Sequence, residues 1–315
     1  MNKKIKYVFF GIILLFIFGL SFIIISSYYE HQNLINEEKE MFPALGNLVD
    51  IYDNNETIHL YSQGKGNKTL VFLSGFGTPS PLYDFKTLYE KLSNDYKTVV
   101  VERFGYGYSD INSNPREIET ILNETRIALK ESNYLPPYVL IPHSMSGLEA
   151  IYWGNQYPDE INTIIGLDTL IPNYFLETKE EVSISWIVTF LARSGLMRNQ
   201  PNVCYDNFLA VQKGNLSEED KKIACSIFFR RVNTKNMQNE ANMISRNSEI
   251  VNQNDNLSSS FNVFISNEAD DLWKETLINY SKNTNGKYYL LNASHYVHLD
   301  KPNFISHKIK MILEK

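Results

Sequence analysis

Tyr138-Val139-Leu140-Ile141-Pro142-His143-Ser144-Met145-Ser146-Gly147-Leu148 is a short apolar run that breaks into a turn and then starts a helix, with Ser144 at the break. A serine hydroxyl is a poor nucleophile at neutral pH unless a base takes its proton and its oxygen is held in the open. A sharp strand-to-helix turn does the second job, lifting the side chain above a sheet and putting the next backbone N–H at a helix start. Residues two before and two after such a serine must be small, because strand and helix pass close together; here they are Pro142 and Ser146. Proline gives up a ladder N–H and is tolerable only at the end of a strand. The plain alternative is a serine that caps a helix.

The chain of 315 residues opens with Lys3, Lys4 and Lys6, followed by a nearly wholly apolar, uncharged stretch from Tyr7 to Ser27. About 20 such residues at 1.5 Å rise cross a bilayer core, whereas a cleaved signal peptide carries a shorter apolar region and a small-residue site after it. The reading is a signal anchor over residues 1–28. Lysines before the span and Glu30, Glu37, Glu38 and Glu40 after it put the N-terminus in the cytoplasm and the remaining chain outside, at the cell membrane. A net charge of −6 and no Lys/Arg stripe argue against nucleic acid as a partner. Cys204 and Cys225 are the only cysteines: outside the cell they can pair, or stay as two buried thiols, and their spacing fits no metal site.

After a linker over residues 29–46, Leu48–Tyr52 and Thr57–Tyr61 read as a hairpin around Asp53-Asn54-Asn55. Lys68–Leu73 and Thr98–Val101 are continuous apolar strands of the kind buried in parallel sheets. Helices are expected over Tyr83–Ser93 and Pro115–Glu131, the latter with Ile118, Ile121, Leu122, Ile127 and Leu129 as its buried face, and from the Ser144 turn to about Tyr157. The strand Ile161–Asp168 follows, and alternating strands and helices imply right-handed crossovers and a doubly wound, mostly parallel sheet. In such folds the ligand lies beyond the carboxyl ends of the strands, where Gly75, Ser144 and Asp168 all sit. From Ile171 to about Ser260 the pattern is helical, with an apolar Val182–Leu196, a capping box at Ser217-Glu218-Glu219-Asp220 and a long helix over Thr234–Asn252. Strands resume at Asn262–Ser266 and Lys287–Leu291.

Four segments resemble the α/β-hydrolase family in order and spacing, over roughly residues 45 to 312. Ser74-Gly75-Phe76-Gly77 after the Lys68–Leu73 strand is similar to the family's His-Gly-x-Gly loop, with serine for histidine. Glu102-Arg103-Phe104-Gly105-Tyr106-Gly107-Tyr108-Ser109 looks very like its Asp-Arg-x-Gly-x-Gly-x-Ser segment, whose role is structural. The Ser144 turn resembles the nucleophile elbow, with Pro142 and Ser146 for two glycines. Asn292-Ala293-Ser294-His295-Tyr296-Val297-His298 resembles the Gly-His-x-x-His loop. The resemblance implies an eight-stranded sheet in two parts, residues 47–170 and 261–315, with a helical cap over 171–260 inserted after the sixth strand. Trp186, Phe190, Leu191, Phe208, Phe228 and Phe229 would line a pocket beneath that cap or form the cap's own core.

The resemblance further implies a serine hydrolase acting on small or lipid-like carboxylic esters, without cofactor. Ser144 is the expected nucleophile, His295 the base, and the N–H groups of Phe76 and Met145 the oxyanion donors. The acid is expected at Asp270, a few residues past the Asn262–Ser266 strand; Asp168, one strand earlier, is the alternative. Members that open epoxides or remove halide use an aspartate nucleophile, which Ser144 disfavours. His298 is expected to pack behind His295; no carboxylate or cysteine stands at matching spacing, so no metal is expected. Two further readings stay open: a proline-releasing aminopeptidase, although no distinctive acidic cluster stands in the cap, and a non-catalytic binding module of the same fold.

Overall fold

The structure, a computed structural model, describes residues 3–53, 55–178, 182–200, 202–253 and 256–314. Asn54 of the expected hairpin turn therefore lies outside the described residues, as do residues 1 and 2 of the N-terminal segment and 179–181, 201, 254 and 255 of the cap.

Helix α1 (Lys3–Met41) runs on through residues 29–41 of the segment expected to be a linker or short helix. No glycine or proline interrupts residues 20–42, and Pro43 stops the helix soon after Met41. Its second half is also held from outside, because the Arg198 guanidinium donates to both Glu38 carboxylate oxygens at 2.7 and 2.8 Å.

The sheet has eight strands, β1 (Asn47–Asp50), β2 (Thr57–Gln63), β3 (Thr69–Leu73), β4 (Lys97–Glu102), β5 (Tyr138–Pro142), β6 (Ile161–Leu167), β7 (Ser260–Ser266) and β8 (Tyr288–Leu291). They lie in the order β1-β2-β4-β3-β5-β6-β7-β8, with β2 antiparallel to both neighbours and every pair from β4 to β8 parallel. Alternation along the strands decides which core each residue joins. Leu70, Phe72, Val100, Val139 and Ile141 face one buried layer, and Val71, Leu73, Val99, Val101 and Leu140 face the other. Both faces are covered by helices, as the unbroken apolar runs required.

Among those helices are α2 (Lys86–Leu92), α3 (Ile118–Glu131) and α4 (Gly147–Gln156). In α3, Ile118, Ile121, Leu122, Thr125 and Leu129 are buried, but Ile127 is exposed because it falls off that helical series. Between β6 and β7 the chain builds a helical cap that includes α5 (Pro172–Thr178), α6 (Trp186–Arg193), α7 (Glu218–Arg231) and α8 (Lys235–Gln253). Ser217 caps α7 through the expected box with Asp220, and a disulfide joins Cys204 to Cys225 across a Cα–Cα distance of 5.7 Å. Helices α9 (Asp271–Asn283) and α10 (Pro302–Leu313) complete the core.

Candidate active site

Ser144 ends the β5 strand-to-helix turn with φ of +52°, a region that a non-glycine residue enters only under constraint. The turn is held by its neighbours. Ser146 Oγ accepts from the His143 N–H at 3.0 Å and lies 2.7 Å from the Leu73 carbonyl, to which it donates, while the Ser144 carbonyl accepts from Leu170 N at 2.7 Å and Thr169 Oγ1 at 2.9 Å. The small residue expected at 146 thus contributes a hydroxyl clamp as well as room. Pro142 is tolerated as the last residue of β5, where the next residue supplies the donor: the His143 N–H reaches the Leu73 carbonyl at 3.0 Å. The tightest approach falls at Gly147, where a Cβ would sit 2.1 Å from the Leu170 carbonyl oxygen.

The loop after β3 closes on this turn. A Cβ on Gly75 would lie 2.9 Å from His143 Nδ1 and 3.0 Å from Ser144 Cβ, so only glycine lets the loop come so near. The Phe76 N–H finds no acceptor among the described residues. Met145 sits in the first turn after Ser144, where backbone N–H groups have no intrahelical partner. Backbone N–H groups without a protein acceptor can receive a developing negative charge.

The Glu102–Asp110 segment, expected to have a structural role, braces that loop. Arg103 Nη1 donates to the Ser74 carbonyl at 2.9 Å, and its Nε and Nη2 donate to Glu240 of α8 at 3.3 and 3.2 Å. One buried guanidinium therefore ties the loop to the cap. Tyr106 Oη donates to the same Glu240 at 2.6 Å. Glu102 accepts from the backbone of Leu82 and Tyr108 and pairs with His59 at 2.9 Å. These partners hold its carboxyl below the usual range although burial opposes them.

His295 stands on the loop after β8 with Nδ1 2.7 Å from Asp168 Oδ2 and its ring 42% exposed. Asp168 is 1% exposed at the end of β6, with φ of +45°. Its other oxygen accepts from Ser266 N at 2.9 Å and from the Trp273 indole at 3.1 Å. Asp270, expected as the partner of His295, is instead exposed and caps α9: Oδ1 accepts from Trp273 N at 2.8 Å and Oδ2 from the Tyr174 hydroxyl at 2.9 Å. The carboxylate that meets the imidazole is the alternative, Asp168. Trp273 was not anticipated from the sequence; its ring also stands edge-on to His295, with centroids 5.9 Å apart.

His298 packs behind His295, fully buried, with Nε2 2.9 Å from Asp84 Oδ2. His143 lies between them, its ring 4.9 Å from His295 and 4.7 Å from His298. Burial, then the neighbouring His298 and His295, holds His143 well below the ordinary imidazole range. Asp84, His143 and His298 each offer one ligand atom within 4.8 Å of the others, the one such grouping among the described residues. The Asp84–His298 contact already has the geometry of a hydrogen bond.

Of the six cap aromatics and aliphatics expected at a pocket, Phe208 and Phe228 line a cavity of about 340 Å³, together with Gly77 and Thr78 of the loop after β3, Val188, and Tyr296 beside His295. Leu191 and Phe229 pack on the core, whereas Trp186 and Phe190 face outward.

Residues 68–210 match a family model described as alpha/beta hydrolase fold. Among curated proteins, the chain is 35% identical over 220 residues to the uncharacterized protein YbdG of Bacillus subtilis; the match covers 69% of this chain and 66% of that protein, just under two thirds of its length. Among solved structures, an epoxide hydrolase of Bacillus megaterium is similar with a TM-score of 0.63 and 17% identity, over 85% of this chain and 100% of that one. An enol-lactonase from Burkholderia xenovorans gives a TM-score of 0.57 and 15% identity, again over 85% of this chain and 100% of that one. Strand order, the cap after β6, the strained serine turn and the matching family model agree: the chain has the α/β-hydrolase fold.

Proposed function

We propose that this protein is a membrane-anchored serine hydrolase that cleaves carboxylic esters of small or lipid-like substrates. The observation that carries the reading is the Asp168–His295 pair at 2.7 Å beside the serine turn at φ +52°, on neighbouring strand ends of one sheet edge. Ser144 Oγ attacks the acyl carbonyl while His295 Nε2 takes its proton, and the carbonyl oxygen, now negative, accepts from Phe76 and Met145 N–H. The C–O bond to the alcohol then breaks and His295 returns the proton to the leaving oxygen. Water, deprotonated by His295, attacks the acyl-enzyme and frees Ser144. Asp168 holds the imidazole with Nδ1 protonated and stabilises its cation. A serine at the elbow argues against epoxide opening, which uses an aspartate there.

A fluorophosphonate tests the reading. It should attach to Ser144 alone, and His295→Ala should slow the attachment greatly, because the hydroxyl then keeps its proton. A folded wild-type protein that stays unlabelled and turns over no p-nitrophenyl ester of any chain length sinks the proposal.

The N-terminal helix is the candidate anchor. It is the one helix among the described residues long and apolar enough to cross a membrane. Lysines precede the span, so the N-terminus is cytoplasmic and the hydrolase domain outside. A disulfide between Cys204 and Cys225 fits an oxidising compartment. Protease added to intact cells should digest the domain; a full-length product protected until lysis overturns the orientation.

A further inference from the structure

We infer that helix α6 of the cap lies in the headgroup layer of the same bilayer that holds α1, with Trp186, Ile187 and Phe190 inserted among the lipids. The inference rests on the anchor reading above. The apolar run Tyr7–Ile25 of α1 has a length of about 29 Å at 1.5 Å per residue, close to the thickness of a hydrocarbon core. Ser26 and Ser27, the next residues, therefore stand where the headgroups begin.

At that level α1 touches the cap. A Cβ on Gly195 would lie 2.7 Å from the Ser27 carbonyl oxygen and 2.5 Å from His31 Cβ, so the chain just past α6 is pressed against the emerging helix. The contact is clamped one and three turns further on. Arg198 Nε donates to His31 Nδ1 at 2.8 Å, and its two terminal nitrogens hold Glu38. Because α1 is one unbroken helix, the cap is fixed at a set height above the bilayer. Helix α6 ends at Arg193, two residues before Gly195, and its eight residues reach about 12 Å from there.

Its surface chemistry fits a headgroup layer. Trp186, Ile187 and Phe190 are 76%, 51% and 44% exposed, and positions i, i+1 and i+4 share one helix face. From Val182 to Tyr205 there is no acidic residue, and the two charged side chains are Arg193 and Arg198. Arg198 is committed to His31 and Glu38, so the arginine left for phosphates is Arg193, whose Nη2 also donates to the Asn233 carbonyl at 3.2 Å; an exposed tryptophan with a nearby arginine and no acidic residue fits a segment that lies on a membrane. The opposite side of α6 gives Val188 to the 340 Å³ cavity that also holds Gly77 and Thr78. The helix is thus the wall between that cavity and the lipids, and the substrate class it suits is an ester-bearing amphiphile drawn from the bilayer.

The test uses the full chain in vesicles of phosphatidylcholine and phosphatidylglycerol, with one environment-sensitive fluorophore on Ile187→Cys, Leu15→Cys or Lys130→Cys. Cys204 and Cys225 are paired, so each added thiol labels alone. Positions 15 and 187 should be quenched by spin-labelled lipids and shielded from iodide, with position 187 shallower, while position 130 should be open to iodide. A shielded position 15 with a water-exposed position 187 overturns the inference alone. A position 15 accessible to water overturns the anchor reading and this inference with it.

Discussion

The indole N–H of Trp273 donates to Asp168 Oδ1 at 3.1 Å while its backbone N–H is capped by Asp270 at 2.8 Å, so one residue of α9 touches both carboxylates that compete for His295. The two acids do different work: one is 1% exposed and paired with the imidazole, the other exposed and ending a helix. Asp168→Asn should lower ester turnover by about 10⁴, the loss that follows when the imidazole is held in the wrong tautomer. Asp270→Asn should leave turnover within about twofold, because asparagine also caps helices well, and Asp270→Ala should cost about 1 kcal/mol of stability. Equal losses of turnover in folded Asp168→Asn and Asp270→Asn would contradict the assignment.

Trp273→Phe keeps the ring against His295 and Tyr174 but removes the indole donor. A hydrogen bond to a charged group contributes about 1.5–3 kcal/mol, and part of this is felt only when His295 is cationic. The expected result is a fall in kcat of about tenfold with KM little changed. A change confined to KM would assign Trp273 to substrate contact, and no change in either would remove it from the site.

Much of this arrangement was legible in the residues. The parallel, doubly wound sheet followed from apolar runs separated by amphipathic helices, and the strand-to-helix turn at Ser144 and the loop carrying His295 followed from motif order. The carboxylate that meets His295 did not, because β6 and β7 are neighbours and both end near the β8 loop, so chain distance cannot separate Asp168 from Asp270. One local signal pointed the right way: Asp270 immediately precedes an amphipathic helix, the position of a cap, whereas Asp168 ends a buried strand with no helix directly after it. Trp273 was invisible for a different reason, since its partner lies 105 residues away and nothing in its own neighbourhood asks for an indole donor. The span was bounded by apolar content, and the polar residues after it were expected as a linker or short helix; His31 and Glu38, polar and within the continuous α1, are held by Arg198.

Gly75→Ala tests the loop after β3. The added methyl meets His143 Nδ1 at 2.9 Å and Ser144 Cβ at 3.0 Å, both on a turn that is pinned by Ser146 and Thr169, so the loop must retreat. Moving the Phe76 N–H out of reach removes one oxyanion donor, a loss of about 10²–10³ in kcat. Turnover should fall by that factor with fluorophosphonate-accessible Ser144 retained. Wild-type turnover in Gly75→Ala would show that the Phe76 N–H is not a donor.

His143 makes stability depend on pH. Folded, it is fully buried and its imidazole is held well below 6.5, first by burial and then by His298 and His295; unfolded, it titrates near 6.5. Above pH 6.5 both states are neutral there and the term vanishes. As pH falls below 6.5 the unfolded chain takes up a proton that the folded one refuses, so stability is lost with falling pH, at a limiting slope of about 1.4 kcal/mol per pH unit. The full chain in detergent should therefore show a denaturation midpoint that declines between pH 6.5 and 5. His143→Phe keeps a ring among His295, Tyr296 and His298 but removes the titrating group, so its midpoint should be lower at pH 7, for the lost bond to the His295 carbonyl at 3.3 Å, yet flatter below pH 6.5. Parallel pH profiles for the two proteins would mean that His143 takes up its proton in the folded state as readily as in the unfolded one.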